Sequence, residues 1–324
     1  MSTEEHLYIG LDVGRTIRGA LINNAGAIIK QQKVVAEVKD PRLFVAQLIE
    51  VINGLRLSDE AAERAAAVGI GWAGMVNHKQ QRIEITPNIV DVSVFDLHEE
   101  VQQATKLPVV FDNDANVAAY GEWQCGAARG YEDVFYITIG TGIGAGLILG
   151  GELQRGSRGF AGEFGHFKIG FDGLECACGS TGCLETVASG PNIVRRVREQ
   201  LFSDPVFSVS QLARDMEGVL TCERVFQAAM ERDQLAVQVL KETAKILGAA
   251  ISNVINLLNV EVVVMGGGVM SAGELVIRYV RKEILKDAIA PAREACQILP
   301  AKLGQDAGII GAALLARDSL HEYE

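Results

Sequence analysis

Twice along its length the chain opens a set of short apolar strands at a glycine-marked turn and then alternates strands with helices. The first round begins with LYIGLDVG, IRGALIN and AIIKQQKVVAE, the last two separated by an Asn-Ala-Gly turn, and this predicts three antiparallel strands. From Pro41 the apolar spacing lengthens. Phe44, Leu48, Val51, Ile52 and Leu55 share one helical face, with proline in the first turn. A strand at AAVGIGWAG, a helix over Asp96 to Thr105, a short buried strand LPVVF and a helix over Asp114 to Cys125 complete a βββαβαβα order. The second round starts with strands over Asp133 to Leu149 and continues with helices over Asn192 to Phe202 and Ser210 to Leu258. It closes with the strand EVVVMGGGV, a helix from Ala272 to Ala290, a strand at CQILPAK and a final Ala/Leu-rich helix from Ala307. Two rounds of one order predict two similar α/β lobes with a ligand cleft between them, bounded near Gly121 to Gly130.

Charge narrows the partners. Lys and Arg number 30 against 41 Asp and Glu, and the net charge of −11 repels nucleic acid and anionic membrane surfaces alike. The run from Val134 to Gly151 approaches the length of a bilayer span, but Gly140, Gly142, Gly144, Gly146, Gly150 and Gly151 each disfavour a helix and suit a strand hairpin. The start, MSTEEHLYIG, is acidic and then strand-like, unlike a secretion signal, so a cytoplasmic protein is expected.

Five groups of residues could carry chemistry. Asp12-Val13-Gly14-Arg15-Thr16 lies at the first hairpin turn, where glycine lets backbone N–H groups approach a phosphate and Asp12 can hold a metal ion through water; a purely conformational turn has the same composition. Thr141 and Gly142, within Gly140 to Gly146, occupy the equivalent turn of the second round, as a phosphate clamp or as a packed hairpin. Gly266, Gly267 and Gly268 form a strand-to-helix turn without G-x-G-x-x-G spacing, which suits a mononucleotide better than a dinucleotide. Asp112-Asn113-Asp114 opens a helix, so these side chains either cap it or, in the case of Asp114, accept a hydroxyl proton during phosphoryl transfer with Asn113 bonding the same substrate. Most specific is Gly162-Glu163-Phe164-Gly165-His166 followed by Cys176-Ala177-Cys178-Gly179-Ser180-Thr181-Gly182-Cys183-Leu184-Glu185. Three thiolates and one imidazole make a closed tetrahedral zinc set of His166, Cys176, Cys178 and Cys183, hence a structural Zn2+ that fixes the flanking Glu163 and Glu185.

Together with WAGMV, FDNDANVAAYGEW, ITIGTGIGAGL and LGQDAGIIGAALLA, these motifs resemble the ROK family of bacterial sugar kinases and sugar-responsive repressors over nearly the whole chain. The resemblance implies an α/β, two-lobed, actin-like, hexokinase-type ATPase fold with ribonuclease H-like lobes. Residues 1–120 would form the sugar and phosphate lobe, completed by the C-terminal helix 307–324, and residues 121–306 the lobe with the zinc loop and the adenosine side. It implies Asp114 as catalytic base, and Gly74, Asn88, Asn113, Glu163, His166 and Glu185 at the sugar, with His166 giving one ring edge to sugar and one to zinc. It further implies Asp12, Gly14, Thr16, Thr141 and Gly142 at the phosphates, and Gly266 to Gly268 on the adenosine side. ATP and Mg2+ would be used, by a homodimer or homotetramer. Arg15 departs from the family by replacing the second glycine of the first turn, which predicts a hairpin one residue shorter with Thr16 displaced, or a positive charge offered to the phosphates.

The expected reaction is ATP-dependent phosphorylation of the C6 hydroxyl of a hexose. Glucose comes first among substrates, then N-acetylmannosamine, N-acetylglucosamine, mannose and allose. A sugar-responsive repressor is the rival, disfavoured by the short lead before LYIGLDVG; a sugar-binding pseudokinase is the other, motivated by Arg15. A zinc hydrolase would need an open coordination position and an H-E-x-x-H helix.

Overall fold

The computed structural model describes residues 6–56, 64–87, 89–93, 95–215, 220–272 and 274–321. Strands β1 (Leu7–Val13), β2 (Thr16–Asn23) and β3 (Ile28–Val35) lead into helix α1 (Pro41–Arg56), and β4 (Ala65–Trp72) precedes a small hairpin of β5 (Met75–Asn77) and β6 (Arg82–Ile85). Helix α2 (Leu97–Thr105), strand β7 (Val109–Asn113) and helix α3 (Asp114–Gln124) end the first round. The second begins with β8 (Val134–Ile139), β9 (Ile143–Leu149) and β10 (Glu152–Leu153). It continues through α4 (Glu185–Ala188), α5 (Gly190–Ser203), α6 (Gln211–Asp215), α7 (Cys222–Met230) and α8 (Gln234–Leu258). Strand β11 (Val262–Gly266), helices α9 (Glu274–Asp287) and α10 (Ala290–Ala295), strand β12 (Gln297–Pro300) and helix α11 (Ala307–His321) complete it.

The repeat expected from the sequence is present in the sheets. One has the order β3-β2-β1-β4-β7 and the other β10-β9-β8-β11-β12, the same path with corresponding strands in corresponding places. In the first, β1 pairs antiparallel with β2 and parallel with β4. In the second, β11 lies parallel to both β8 and β12. By contacts the chain divides into two compact units, Met1–Glu132 with Gly146–Gly162 and Lys302–Glu324, and Asp133–Ala145 with Glu163–Ala301.

Three expectations need correction. The segment after β4 carries the β5–β6 hairpin, closed by an antiparallel register from Met75↔Ile85 to Asn77↔Arg82, where no strands were expected because the run is short and polar. The single helix expected over Ser210 to Leu258 is three: Thr221 caps α7 and Asp233 caps α8, each accepting a backbone N–H in the first turn. Asp233 is buried and also accepts the Ser210 hydroxyl at 3.0 and 2.9 Å, so a polar break inside an apolar pattern serves as a cap. The helix expected over Ala272 to Ala290 stops at Asp287, and α10 restarts with proline in its first turn.

In the first unit α1 and α2 cover one face of the sheet around Phe44, Trp72 and Phe111, whose rings meet edge-on at 5.7 and 6.4 Å. The other face carries α3 and α11. A Cβ at Gly10 of β1 would strike the carbonyl of Ile309, and one at Gly69 of β4 that of Ala312, so glycine on the strands lets the small-residue face of α11 lie directly on the sheet. Glu122 of α3 joins this layer to the chain entering α11. It is fully buried and accepts the N–H groups of Ala127 at 2.7 Å, Lys302 at 3.1 Å and Leu303 at 2.7 Å. Glu122→Ala removes the common acceptor of these three donors and leaves a cavity where a buried carboxylate stood, and we expect a loss of about 3 kcal/mol in a denaturant titration. An unchanged midpoint would contradict this role. Among the described residues, no helix is long and apolar enough to cross a membrane.

Candidate active site

The candidate residues of the first unit sit at the carboxyl ends of its parallel strands, where open α/β sheets bind ligands. Asp12 of β1 is level with Gly71 of β4, and Gly71 with Asp112 of β7. Burial raises the Asp12 carboxyl above its ordinary range, opposed by the Arg18 guanidinium 3.7 Å away, and Gly308 at the start of α11 leaves room for it. The turn that follows is closed by a bond from the Gly14 N–H to the Thr16 carbonyl at 3.2 Å. Its counterpart in the second unit is closed in the same way, from Gly140 N–H to the Gly142 carbonyl at 2.9 Å. Strand β2 starts at Thr16, which leaves the first turn one residue shorter between strands than the second, yet the closing bond is conserved in kind. Arg15 is exposed and is not one of the residues with positive φ, so arginine in place of glycine strains nothing here.

At the end of β7 the three polar residues divide their work. Asn113 caps α3, its Oδ1 accepting from the N–H groups of Ala115 at 2.8 Å and Asn116 at 3.2 Å, while its Nδ2 donates to the Gly74 carbonyl at 3.0 Å. Asn113 therefore ties Gly74 to the helix that Asp114 begins. A Cβ on Gly74 would strike the Ile85 carbonyl of β6, so the loop closes on the β5–β6 hairpin only with glycine there. Asp112 is buried and bonded on both oxygens. Asp114, the residue expected as base, is half-buried at the first position of α3, where its Oδ1 accepts the Ala115 N–H at 2.9 Å. Asn88 lies outside the described residues.

The second unit assembles the expected metal ligands. His166, Cys176, Cys178 and Cys183 place one ligand atom each within 4.8 Å of the others, and all three cysteines are free thiols. A tetrahedral zinc ion, with bonds of about 2.3 Å to sulfur and about 2.0 Å to nitrogen, sets sulfurs about 3.8 Å apart and sulfur from nitrogen about 3.5 Å apart. Cys178 Sγ lies 3.8 Å from Cys183 Sγ, and Cys176 Sγ lies 3.6 Å from His166 Nδ1. The donor set fits such an ion in number, chemistry and spacing. Positive φ at Gly179 (+83°) and Gly182 (+68°) makes the turns that fold the cysteines onto one another. His166 turns Nδ1 to the sulfurs and Nε2 toward Glu163, 3.7 Å away.

Of the two acidic residues flanking this cluster, Glu185 is anchored on the start of β9. Glu185 Oε2 accepts the Ile143 N–H at 2.9 Å and fills the space a Gly142 side chain would take, 2.6 Å from the position of its Cβ. Gly165 packs on the Ile143 carbonyl from the other side, and Phe164 is wedged between Phe135 at 5.0 Å and Phe167 at 5.3 Å. Burial holds the Glu163 carboxyl above its ordinary range, opposed by the charge of His166 and reinforced by that of Glu185. Thr141 and Gly142 thus belong to one packed body with Glu163, His166 and Glu185. At the same sheet end Gly266 is level with Thr138, and Gly267, at φ +89°, lies against the backbone of Ile139 where a side chain would clash.

The sequence reading passed over Arg155 and Glu122. Arg155 binds Asp112 from 43 residues away, and no spacing rule connects the two; the one hint was an aspartate ending an apolar strand, which has to find a donor.

The ROK family profile matches residues 8–319. The chain belongs to the ROK family. It is 36% identical to a glucokinase of Halalkalibacterium halodurans over 98% of this chain and 97% of the relative. It is 28% identical to the xylose repressor of Bacillus subtilis, over 96% of this chain and 77% of that protein. Among solved structures, a ROK glucokinase from Streptomyces griseus in complex with glucose and AMPPNP superimposes with a TM-score of 0.84 at 36% identity, covering 96% of this chain and 99% of the other. The repeated sheets are those of the actin-like, hexokinase-type ATPase fold.

Proposed function

We propose that this ROK protein is an ATP-dependent hexose kinase acting on the C6 hydroxyl, with glucose as its sugar. The observation that carries the proposal is the end-to-end similarity, at 36% identity, to a kinase that holds glucose and an ATP analogue. In this reading Asp114 takes the proton of the C6 hydroxyl as its oxygen attacks the γ-phosphorus, and ADP leaves as the bond to its β-phosphate oxygen breaks. Glu163, His166 and Glu185 bond sugar hydroxyls; Asn113, with one amide proton beyond its cap and its bond to Gly74, adds another donor. Gly74 is assigned to the same sugar by the family resemblance. The chemistry of Asn88 at the sugar rests on the family resemblance alone.

The phosphates of Mg2+-ATP fall to the two matched turns, with Asp12, Gly14 and Thr16 in one and Thr141 and Gly142 in the other, and the adenosine to Gly266, Gly267 and Gly268. The closing bonds of the two turns, alike in kind, support giving both the same role. In this reading Asp12 would hold the Mg2+ through water, and the ion would neutralise phosphate charge. His166, Cys176, Cys178 and Cys183 would hold Zn2+, which supplies rigidity and no reactive position, since four protein ligands close its shell. A cytoplasmic homodimer or homotetramer follows from the family resemblance.

A coupled assay of ADP release across glucose, mannose, allose, N-acetylglucosamine and N-acetylmannosamine tests the reading. We expect glucose to give the highest kcat/KM, because a polar group covered by the bound sugar and left unpaired by an epimer costs about 1–3 kcal/mol, roughly tenfold or more in rate. A higher value for an N-acetyl sugar would reassign the substrate. Glucose binding without ADP release on any sugar would make the protein a sugar-binding pseudokinase.

A further inference from the structure

We infer that Arg155 is a positioning residue for phosphoryl transfer: its ion pair with buried Asp112 holds rigid the strand-to-helix turn on which Asp114 stands. The inference rests on the reading of Asp114 as the base. Asp112 is 2% exposed, and its side chain makes three bonds. Oδ1 accepts the Asn113 N–H at 2.7 Å and the Asn116 Nδ2 at 2.8 Å, and Oδ2 accepts the Arg155 Nε at 2.5 Å. The first two bonds bracket Asp114, one from the residue before it and one from the residue two places after it. Arg155 supplies the cation that pairs with the carboxylate in that position, and without it Oδ2 is left in the interior with no partner.

Arg155 is itself fixed. Its side chain is 20% exposed, and its carbonyl accepts the Ala161 N–H at 3.0 Å, which folds the 155–161 segment into a compact loop. The following Gly156, at φ +73°, permits that turn. A second consequence runs through Asn113. The same turn orients its Nδ2 toward the Gly74 carbonyl, so slack at Asp112 reaches the loop at Gly74 as well as the base. Arg155 touches neither reactant in this scheme; it acts through Asp112.

The test is a double-mutant cycle on the full-length protein with glucose and Mg2+-ATP. Displacing a reacting group by about an ångström costs up to roughly a hundredfold, so Arg155→Met and Asp112→Asn should each lower kcat by roughly ten- to a hundredfold, with the KM for ATP within about twofold. If Arg155 acts through Asp112, the double variant is no slower than the slower single one. Multiplied losses would overturn the inference, as would a kcat for Arg155→Met within about twofold of the parent. Should Arg155→Met fail to fold, Arg155→Lys decides: a cation of different reach should lower kcat while the unfolding midpoint holds, and an unchanged kcat would refute positioning. Asp114→Asn separates the two readings. Retained turnover there removes the base itself, whereas a dead Asp114→Asn beside a fully active Arg155→Met removes only the role given to Arg155.

Discussion

Asp114→Asn is expected to lower kcat with glucose by roughly 10²–10⁴-fold while leaving glucose affinity within a few-fold of the parent, the span a positioned general base contributes. The separation follows from how the turn is built. The hydrogen bonds that hold α3 in place belong to Asn113 and Asp112, which cap the helix and receive the Arg155 guanidinium. The Asp114 Oδ1 accepts the Ala115 N–H at 2.9 Å, a bond that an asparagine Oδ1 accepts equally well. What the variant loses is an ionised carboxylate at a helix N-terminus, worth about 0.3–1 kcal/mol to folding and essential to a base. Steady-state kinetics together with calorimetric titration of glucose check both halves. Turnover within tenfold of the parent would remove Asp114 from the mechanism, and a loss of glucose binding equal to the loss of turnover would make it a binding residue.

The sheets and the clustering of one histidine with three cysteines were legible in the sequence for the same reason: each is specified by local pattern. Period-two apolar runs ending in glycine turns mark β1, β2, β8 and β9, and the repeated order of strands follows from them. His166, Cys176, Cys178 and Cys183 lie within one short segment, so spacing alone brings four side chains able to hold one metal together. What stayed hidden depends on contacts distant in sequence or on polar residues that break an apolar pattern. Asp233 reads as one more charge on a long amphipathic helix until Ser210, 23 residues away, is seen to donate to it. Arg155 and Asp112, and Glu122 with Leu303 at a separation of 181 residues, are ordinary charged or apolar positions in sequence and become structural only when the chain returns. Gly142 was read as a phosphate contact. The structure adds that it is glycine because the Glu185 carboxylate occupies the place of its side chain.

That last contact decides what removal of the metal should do. Cys183→Ser is expected to abolish stoichiometric zinc and to raise the KM for glucose by roughly a hundredfold or more, beyond the 10–100-fold that loss of a supporting partner costs a metal site. Cys183 is fully buried and bridges to Lys168, while the next residue, Leu184, donates its N–H to the Phe167 carbonyl at 2.8 Å. Glu185 follows directly, so the ligand, the strand-like contact to the segment after His166, and the carboxylate on Ile143 are successive links of one chain. His166 would be a ligand of the proposed ion, and its Nε2 faces Glu163. Freed from the ion, its ring has no reason to keep that edge there, and Glu163 loses its partner with it. Serine keeps the volume of cysteine but binds zinc weakly, a hard oxygen in place of a soft thiolate. Elemental analysis, glucose kinetics and thermal unfolding should therefore change together in Cys183→Ser and in protein stripped with a chelator, and re-addition of zinc should restore only the stripped parent. Cys296→Ser, outside the cluster, serves as the control and should alter none of the three. A zinc-free protein with an unaltered KM for glucose would show that the loop holds Glu163 and Glu185 without the metal.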